Sequence, residues 1–426
     1  GMGGNGGAGN GGMGGSGGNG GSGGSGGSGA CTDNNANCAL WASQGECDTN
    51  PTYMLTECCL SCSLLPSETC ASTPLDCGTD GVIIHDAGPS DNRANLVIVG
   101  DCYNQSELST TFLQHIQSTL SYRFGPIGEP YGRYSKFVNI CALKVPSVDS
   151  GCTTAPRNTA FQCWGSDTTR LGLCDNFAVY NGIQQRIPAS LEVTWTSVVM
   201  NDSSWWGSGG VLAIWSGGHY DAKTLFLHEG GHAFHALADE YGGTNNCAGY
   251  SEPSEINVTR DPVNTSGKWD EWLGSNQSGA TGPQSTFEGA RYCDTDMWRP
   301  SFNSMMNQCF SSYEPTNSYN SISREKMIRD IYAEVRPIDC YAPGQLQLTG
   351  TPDLSVTVVD PNVITLDWLV DGVLVAGSPG ATLHLANLGL SAGTHEIRAH
   401  AHDDTPWVRG DRSSLEQTIT WTVQVP

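Results

Sequence analysis

The chain has 426 residues, more than one ordinary domain needs and enough for two or three. Its formal net charge of −23 is spread along the sequence rather than gathered in a tail, which excludes the basic face that nucleic-acid binding requires. Only 38% of residues are hydrophobic, and no apolar run approaches the ~18 residues of a membrane-spanning helix.

Glycine and cysteine divide the chain. Nineteen of the 54 glycines fall in residues 1–30. All 17 cysteines lie between Cys31 and Cys340. That density predicts disulfides made in an oxidising compartment, and hence a secreted or extracellular, cell-surface-tethered protein. The odd count leaves at least one thiol free, metal-bound or paired outside the chain. The opening residue is Gly1 rather than Met, which predicts a missing amino-terminal piece of the signal-peptide kind.

Residues 1–30 hold nothing that can bury a core and read as a flexible tether, with a root-mean-square span of about 30 Å. Residues 31–70 form a cysteine-rich module, in which disulfides substitute for an apolar core. A zinc knuckle competes, but no histidine lies among these cysteines and the paired spacing is missing. The string Cys31…Cys38-Ala-Leu-Trp…Cys47…Asn50-Pro-Thr-Tyr-Met54…Cys58…Ser61-Cys62 resembles the ShK-like toxin module. The resemblance implies a three-disulfide unit of the kind appended to secreted enzymes. Leu65 stands where its last cysteine is expected, with Cys59 or Cys70 as the substitute. The expected role is adhesive or spacing.

Residues 71–93 are turn-rich. A globular region spans 71–340. Leu96–Val99 reads as a buried strand, 106–124 as an amphipathic helix and Phe137–Val145 as a strand. Leu191–Val199 and Val211–Trp215 add strands, Ala222–Tyr241 and Ser323–Val335 helices, giving an α/β (α+β) layer. Residues 341–426 alternate with period two at Ser355–Val359, Ile364–Val370, Thr382–Leu385, His395–His400 and Gln417–Val425, with turns at Asp371-Gly372 and Ala392-Gly393. They predict an Ig-like β-sandwich with Trp368 as a core anchor. His400 and His402 share one strand face, where exposed histidines and a metal site are the two readings.

The chemistry centres on His228-Glu229-Gly230-Gly231-His232. Four residues of helix advance the side chain by about 400°, so the two histidines share a face and can grip one Zn²⁺ at about 2.0–2.1 Å. Glu229, rotated by about 100°, can reach a water as general base without displacing it. Two adjacent glycines cost a helix roughly 2 kcal/mol, which implies close approach of another strand or of substrate. A catalytic zinc needs a third protein ligand. Asp239 is the choice, Glu240 the alternative and His235 the third. On a straight helix Asp239 would lie about 16 Å from His228, so a turn must bring it back. The metzincin pattern places its turn glycine and third ligand at the positions of His235 and Ala238, so Asp239 comes one residue late. Asn303-Ser304-Met305-Met306 resembles the Met-turn beneath such a zinc, with Met306 as floor and Met305 beside it. Gly207–Gly210 with Val211–Trp215 reads as an edge strand that can hold an extended peptide, with Trp205, Trp206 and Trp215 lining subsites. Tyr241 and Tyr313 are candidate oxyanion donors.

Asn95–Tyr103, Val145-Pro-Ser, Asp149-Ser-Gly151, Asn158-Thr-Ala160, Gly207–Gly210, His228–His232 with Leu237–Tyr241, Glu288-Gly-Ala290 and Arg299-Pro with Asn303–Met306, in that order, resemble the IgA-peptidase family of zinc metallopeptidases. The resemblance implies a metzincin-like endopeptidase fold, zinc on His228 and His232, Glu229 as base and a polypeptide substrate. Eight cysteines (Cys102, Cys141, Cys152, Cys163, Cys174, Cys247, Cys293 and Cys309) suggest a disulfide-stapled variant. The small modules suggest surface or glycan contact. Two other classes share the motif: an adhesion protein with a non-catalytic metal site, and a zinc-dependent amide deacylase.

Overall fold

The computed structural model describes residues 32–43, 46, 50–58, 61, 73–277, 282–313, 318–377 and 379–426. They belong to two compact units, residues 1–64 and 65–426. In the first, helices α1 (Cys38–Ser43) and α2 (Pro51–Glu57) are stapled by a Cys38–Cys58 disulfide. Asp33 accepts a hydrogen bond from the Ser61 backbone amide at 2.9 Å. Cys31, Cys47 and Cys62, assigned from sequence to this module, lie outside the described residues, as do the tether and Cys59 and Cys70.

The second unit is built on a six-stranded sheet of order β1-β3-β2-β4-β6-β5. The strands are β1 (Gly81–His85), β2 (Ala94–Asp101), β3 (Val138–Leu143), β4 (Trp195–Met200), β5 (Gly207–Ser208) and β6 (Ala213–Ser216). The four inner strands run parallel; β1 and β5 are antiparallel edges. All eight residues of β2 and all six of β3 and β4 are buried, which is why they read as unbroken apolar runs. β1 falls in the stretch 71–93 expected to be turn-rich. It is an edge strand without a fully buried residue, so it lacks the signal its neighbours carry.

One face of the sheet carries helix α3 (Thr111–Arg123) and helix α4 (Ala222–His235), which share a core of Phe112, Ile116, Trp215, Leu225 and Phe226. Helix α3 begins five residues later than expected, because Asn104 and Glu107 side chains accept local backbone amides and hold the preceding segment in turns. Among the described residues, disulfides join Cys77–Cys141, Cys102–Cys152, Cys163–Cys174 and Cys247–Cys293, and Cys340 is also disulfide-bonded. Cys309 departs from the expected pattern: it is a buried free thiol.

Helix α5 (Ser321–Glu334) leads into the carboxy-terminal strands: β7 (Ile338–Ala342), β8 (Gln347–Thr349), β9 (Asp353–Val358), β10 (Thr365–Val370), β11 (Val373–Leu374), β12 (Thr382–His384), β13 (Gly393–His402) and β14 (Glu416–Val425). They form two sheets, β7-β9-β12 and β8-β14-β13-β10-β11. Asp371 and Gly372 take positive φ (51° and 79°), the two-residue hairpin turn expected between β10 and β11. Trp368 is fully buried and stacks on Trp421 at 5.9 Å. Strand β7 crosses residue 340, and these strands share one hydrophobic core with the six-stranded sheet. Asp403 fastens the two regions through Arg133 (2.8 Å), Tyr134 (2.5 Å) and Tyr332 (2.9 Å).

Candidate metal centre

Helix α4 presents His228 and His232 one turn apart, as their spacing requires. Their Nε2 atoms are 3.2 Å apart. Each lies 3.1 Å from Asp239 Oδ1. The Nδ1 atoms sit 2.8 Å from the Met305 carbonyl and 2.6 Å from the Leu237 carbonyl. A carbonyl only accepts, so each Nδ1 donates to its carbonyl and each Nε2 is turned toward Asp239. Three potential ligand atoms thus converge within 3.2 Å of one another. Ligands at about 2.0–2.1 Å around a tetrahedral zinc are separated by about 3.3–3.4 Å, so this set fits such an ion with little movement.

Asp239 reaches the site because α4 stops at His235, six residues short of the expected helix end at Tyr241. Ala236 adopts the left-handed conformation (φ 51°, ψ 38°), and the Ala236 and Leu237 amides donate to the His232 and Gly231 carbonyls. Both the turn and the candidate ligand Asp239 therefore come one residue later than in the metzincin pattern. An alanine at positive φ is strained by about 1 kcal/mol. Ala236→Gly is expected to leave stability unchanged or raise it by up to about 1 kcal/mol, and Ala236→Val to lower it by about 1–2 kcal/mol, with metal retention falling in parallel. Urea denaturation with metal analysis checks both.

Glu240, the alternative ligand, points elsewhere. Its buried carboxylate accepts from Ser304 (2.6 Å), Asn257 (2.9 Å) and Asn320 (2.8 Å). His235, the third candidate, faces Tyr131 (2.6 Å) and Asp330 (2.9 Å) in the core. Met305 and Met306 are fully buried beneath the histidines. A Cβ on Gly231 would lie 2.5 Å from Met306 Sδ, so one of the two helix glycines is a close approach to this turn.

The electrostatics follow from burial and crowding. Burial pushes the Glu229 carboxyl up, with Asp239 adding to it and the two histidines opposing. Burial also acts against ionised Asp239, but hydrogen bonds from His228 and His232 win and hold it far below the usual carboxylate range. Burial would lower His228; the Cys309 thiol and Asp239 outweigh it and raise the imidazole.

The site floors a cleft of roughly 830 Å³, lined by Trp205, Gly207–Gly209, Tyr241, Tyr292, Cys309 and Phe310 among others. Trp215, expected at a subsite, is fully buried; its indole donates to Ser197 (2.9 Å) and packs on Phe226. Trp206 is also buried. Tyr313 lies half-exposed in the turn Ser311–Tyr313 and does not line the cleft. On the outer side of the expected edge strand, the Gly207 amide donates to Arg170 at 3.0 Å, so the free edge is shorter than the sequence suggested.

Sequence reasoning missed Tyr292. It sits in the two-residue turn joining the strands Phe287–Ala290 and Cys293–Arg299, where Arg291 and Tyr292 both take positive φ (51° and 64°). Its hydroxyl donates to Asp239 and lies 3.4 Å from that of Tyr241. Burial and the Asp239 charge push it up to about 12. The one nearby signal was Glu288-Gly-Ala290, which marks the hairpin but not the tyrosine.

Residues 82–283 match the family model IgA Peptidase M64, a family of metallopeptidases. Residues 30–64 match the model for ShK domain-like modules. No curated protein matches the chain. A solved structure that does is the Bacteroides ovatus mixed-linkage glucan utilization locus SGBP-B in complex with mixed-linkage heptasaccharide, 17% identical over 20% of this chain and 21% of that one, with a TM-score of 0.15. The chain thus spans about a fifth of that protein's length, and the likeness carries no argument. No helix among the described residues is long and apolar enough to cross a membrane. The region that carries the histidine motif is therefore similar to the IgA Peptidase M64 family, and the amino-terminal module to ShK-like domains.

Proposed function

We propose that the chain is a secreted zinc-dependent endopeptidase whose metal is held by His228, His232 and Asp239. The convergence of Nε2, Nε2 and Oδ1 within 3.1–3.2 Å at the floor of an open cleft carries this reading. Zinc bound there supplies Lewis acidity that makes a water acidic near pH 7. Glu229 takes the proton from the attacking water and delivers it to the leaving amine. Its raised pKa suits both halves of that transfer. Tyr241, kept protonated by burial and by Asp239, donates to the oxyanion as it forms, while Tyr292 spends its proton on Asp239 and holds that carboxylate in place. Met305 and Leu237 hold the imidazoles through their carbonyls.

The architecture supporting this site is read as metzincin-like, with the helix below and an antiparallel edge above. A peptidase domain over 71–340 carries an Ig-like sandwich over 341–426, built from the two carboxy-terminal sheets. Five disulfides among the described residues suit an extracellular setting.

Chelation tests the reading. Metal removal is expected to abolish casein cleavage, and added zinc to restore it. An unchanged rate after complete removal overturns it. Zinc-loaded protein that cleaves no unfolded chain is the adhesion outcome; turnover confined to small amides is the deacylase outcome.

A further inference from the structure

We propose that Asp367, His400, His402 and Glu416 form a second divalent-metal site, on the outer face of the carboxy-terminal five-stranded sheet. His400 and His402 lie two residues apart on β13, so both project to the same side. The intervening Ala401, like Ile397 and Ala399, is buried on the other side. Strand register then supplies the carboxylates. Asp367 of β10 stands opposite His400, and Glu416 of β14 opposite His402. The imidazoles are stacked, with centroids 4.8 Å apart and planes at 26°. Donor atoms of Asp367, His400 and His402 all lie within 4.8 Å of one another. His400 Nε2 is 3.0 Å from Glu416 Oε2, and His402 Nε2 is 3.2 Å from Asp367 Oδ2.

Two features go beyond ordinary surface ion pairs. Each histidine meets a carboxylate from a different flanking strand, so three strands converge on one spot. His402 Nδ1 also lies 3.1 Å from Asp404 Oδ1. That contact orients the ring and leaves Nε2 directed at the cluster, the arrangement that outer carboxylates give to metal-binding histidines. Two imidazoles with two carboxylates select a borderline ion, Zn²⁺, Cu²⁺ or Ni²⁺, over Ca²⁺ or Mg²⁺. The position has a mechanical meaning. Asp403, the residue that fastens this sheet to Arg133, Tyr134 and Tyr332, sits between His402 and Asp404. An ion here braces that junction.

The inference is independent of the peptidase reading and is tested on the full chain stripped of metal. Zn²⁺ titration is expected to show two equivalents bound by the unaltered chain, and one by the double variant His400→Gln/His402→Gln, whose casein cleavage is unchanged. The double variant His228→Gln/His232→Gln also binds one equivalent. In that background, Cu²⁺ gives an electron paramagnetic resonance spectrum coupled to two imidazole nitrogens, and Zn²⁺ raises the melting midpoint. Asp367→Asn weakens the same site by about 10-fold or more. The proposal is overturned if His400→Gln/His402→Gln binds as many equivalents as the unaltered chain, or if the His228→Gln/His232→Gln variant binds none.

Discussion

Glu229→Gln is expected to lower casein cleavage by at least about 10³-fold while the protein keeps its zinc. The amide is nearly isosteric with the carboxyl and leaves the three ligand atoms in place, so metal content reports folding and the rate reports chemistry. A positioned general base contributes about 10²–10⁴-fold. Here the same group also returns the proton to the leaving amine, which places the loss toward the upper end. The pH profile gives a second readout. Burial raises the Glu229 carboxyl above its ordinary range, and the base works only when ionised. Activity should therefore rise with pH on an acid limb lying above the usual glutamate pKa of about 4.3. An acid limb at or below that value argues against Glu229 as the base.

Glu240→Ala should be the most destabilising single change near the site, at about 3–5 kcal/mol. The carboxylate is fully buried and takes hydrogen bonds from Ser304, Asn257 and Asn320. Truncation strands three polar groups, each costing about 1–3 kcal/mol, less whatever the pocket recovers by relaxing. Asn320 also caps α5 through Ser323 (3.0 Å), and the Glu240 amide donates to Met306 at 2.7 Å. Loss of the carboxylate therefore loosens the turn whose Met305 carbonyl orients His228. Urea denaturation should show the stability loss, and zinc affinity should drop even though no ligand has been removed. Unchanged zinc affinity would mean that the turn at 304–306 holds its place without Glu240.

These two acidic neighbours show how far the sequence could be read. Asp239 and Glu240 are adjacent carboxylates just past the motif, and composition alone cannot separate them. The separation comes from Ala236: a non-glycine residue at positive φ ends the helix, and nothing in its chemistry advertises that. The two histidines and Glu229 were legible because a helix fixes their geometry within five residues. Buried strands such as Ala94–Asp101 were legible as apolar runs, and the carboxy-terminal strands as alternation. Edge strand Gly81–His85 was not, having no buried row. Tyr292 reaches Asp239 from a hairpin 53 residues away, and Cys309 stays unpaired in the cleft wall; both facts belong to tertiary proximity. Trp215 illustrates the converse, since an aromatic beside a cleft-forming strand turned inward to the core.

The glycines of the edge segment set a further constraint. A Cβ on Gly207 would lie 2.3 Å from Glu229 Oε1, and one on Gly209 2.3 Å from the His232 Cβ. Roof and floor of the cleft thus meet backbone to side chain, with no room for even a methyl group. Selectivity among substrates cannot be tuned along this seam without displacing the reacting groups. That leaves the other lining residues, among them Leu171, Trp205, Tyr250, Arg291 and Tyr292, with a Cys247–Cys293 bridge fixing the loops beside the last three. A reducing milieu would slacken those loops together with the Cys163–Cys174 loop, which brings Arg170 and Leu171 to the same cleft.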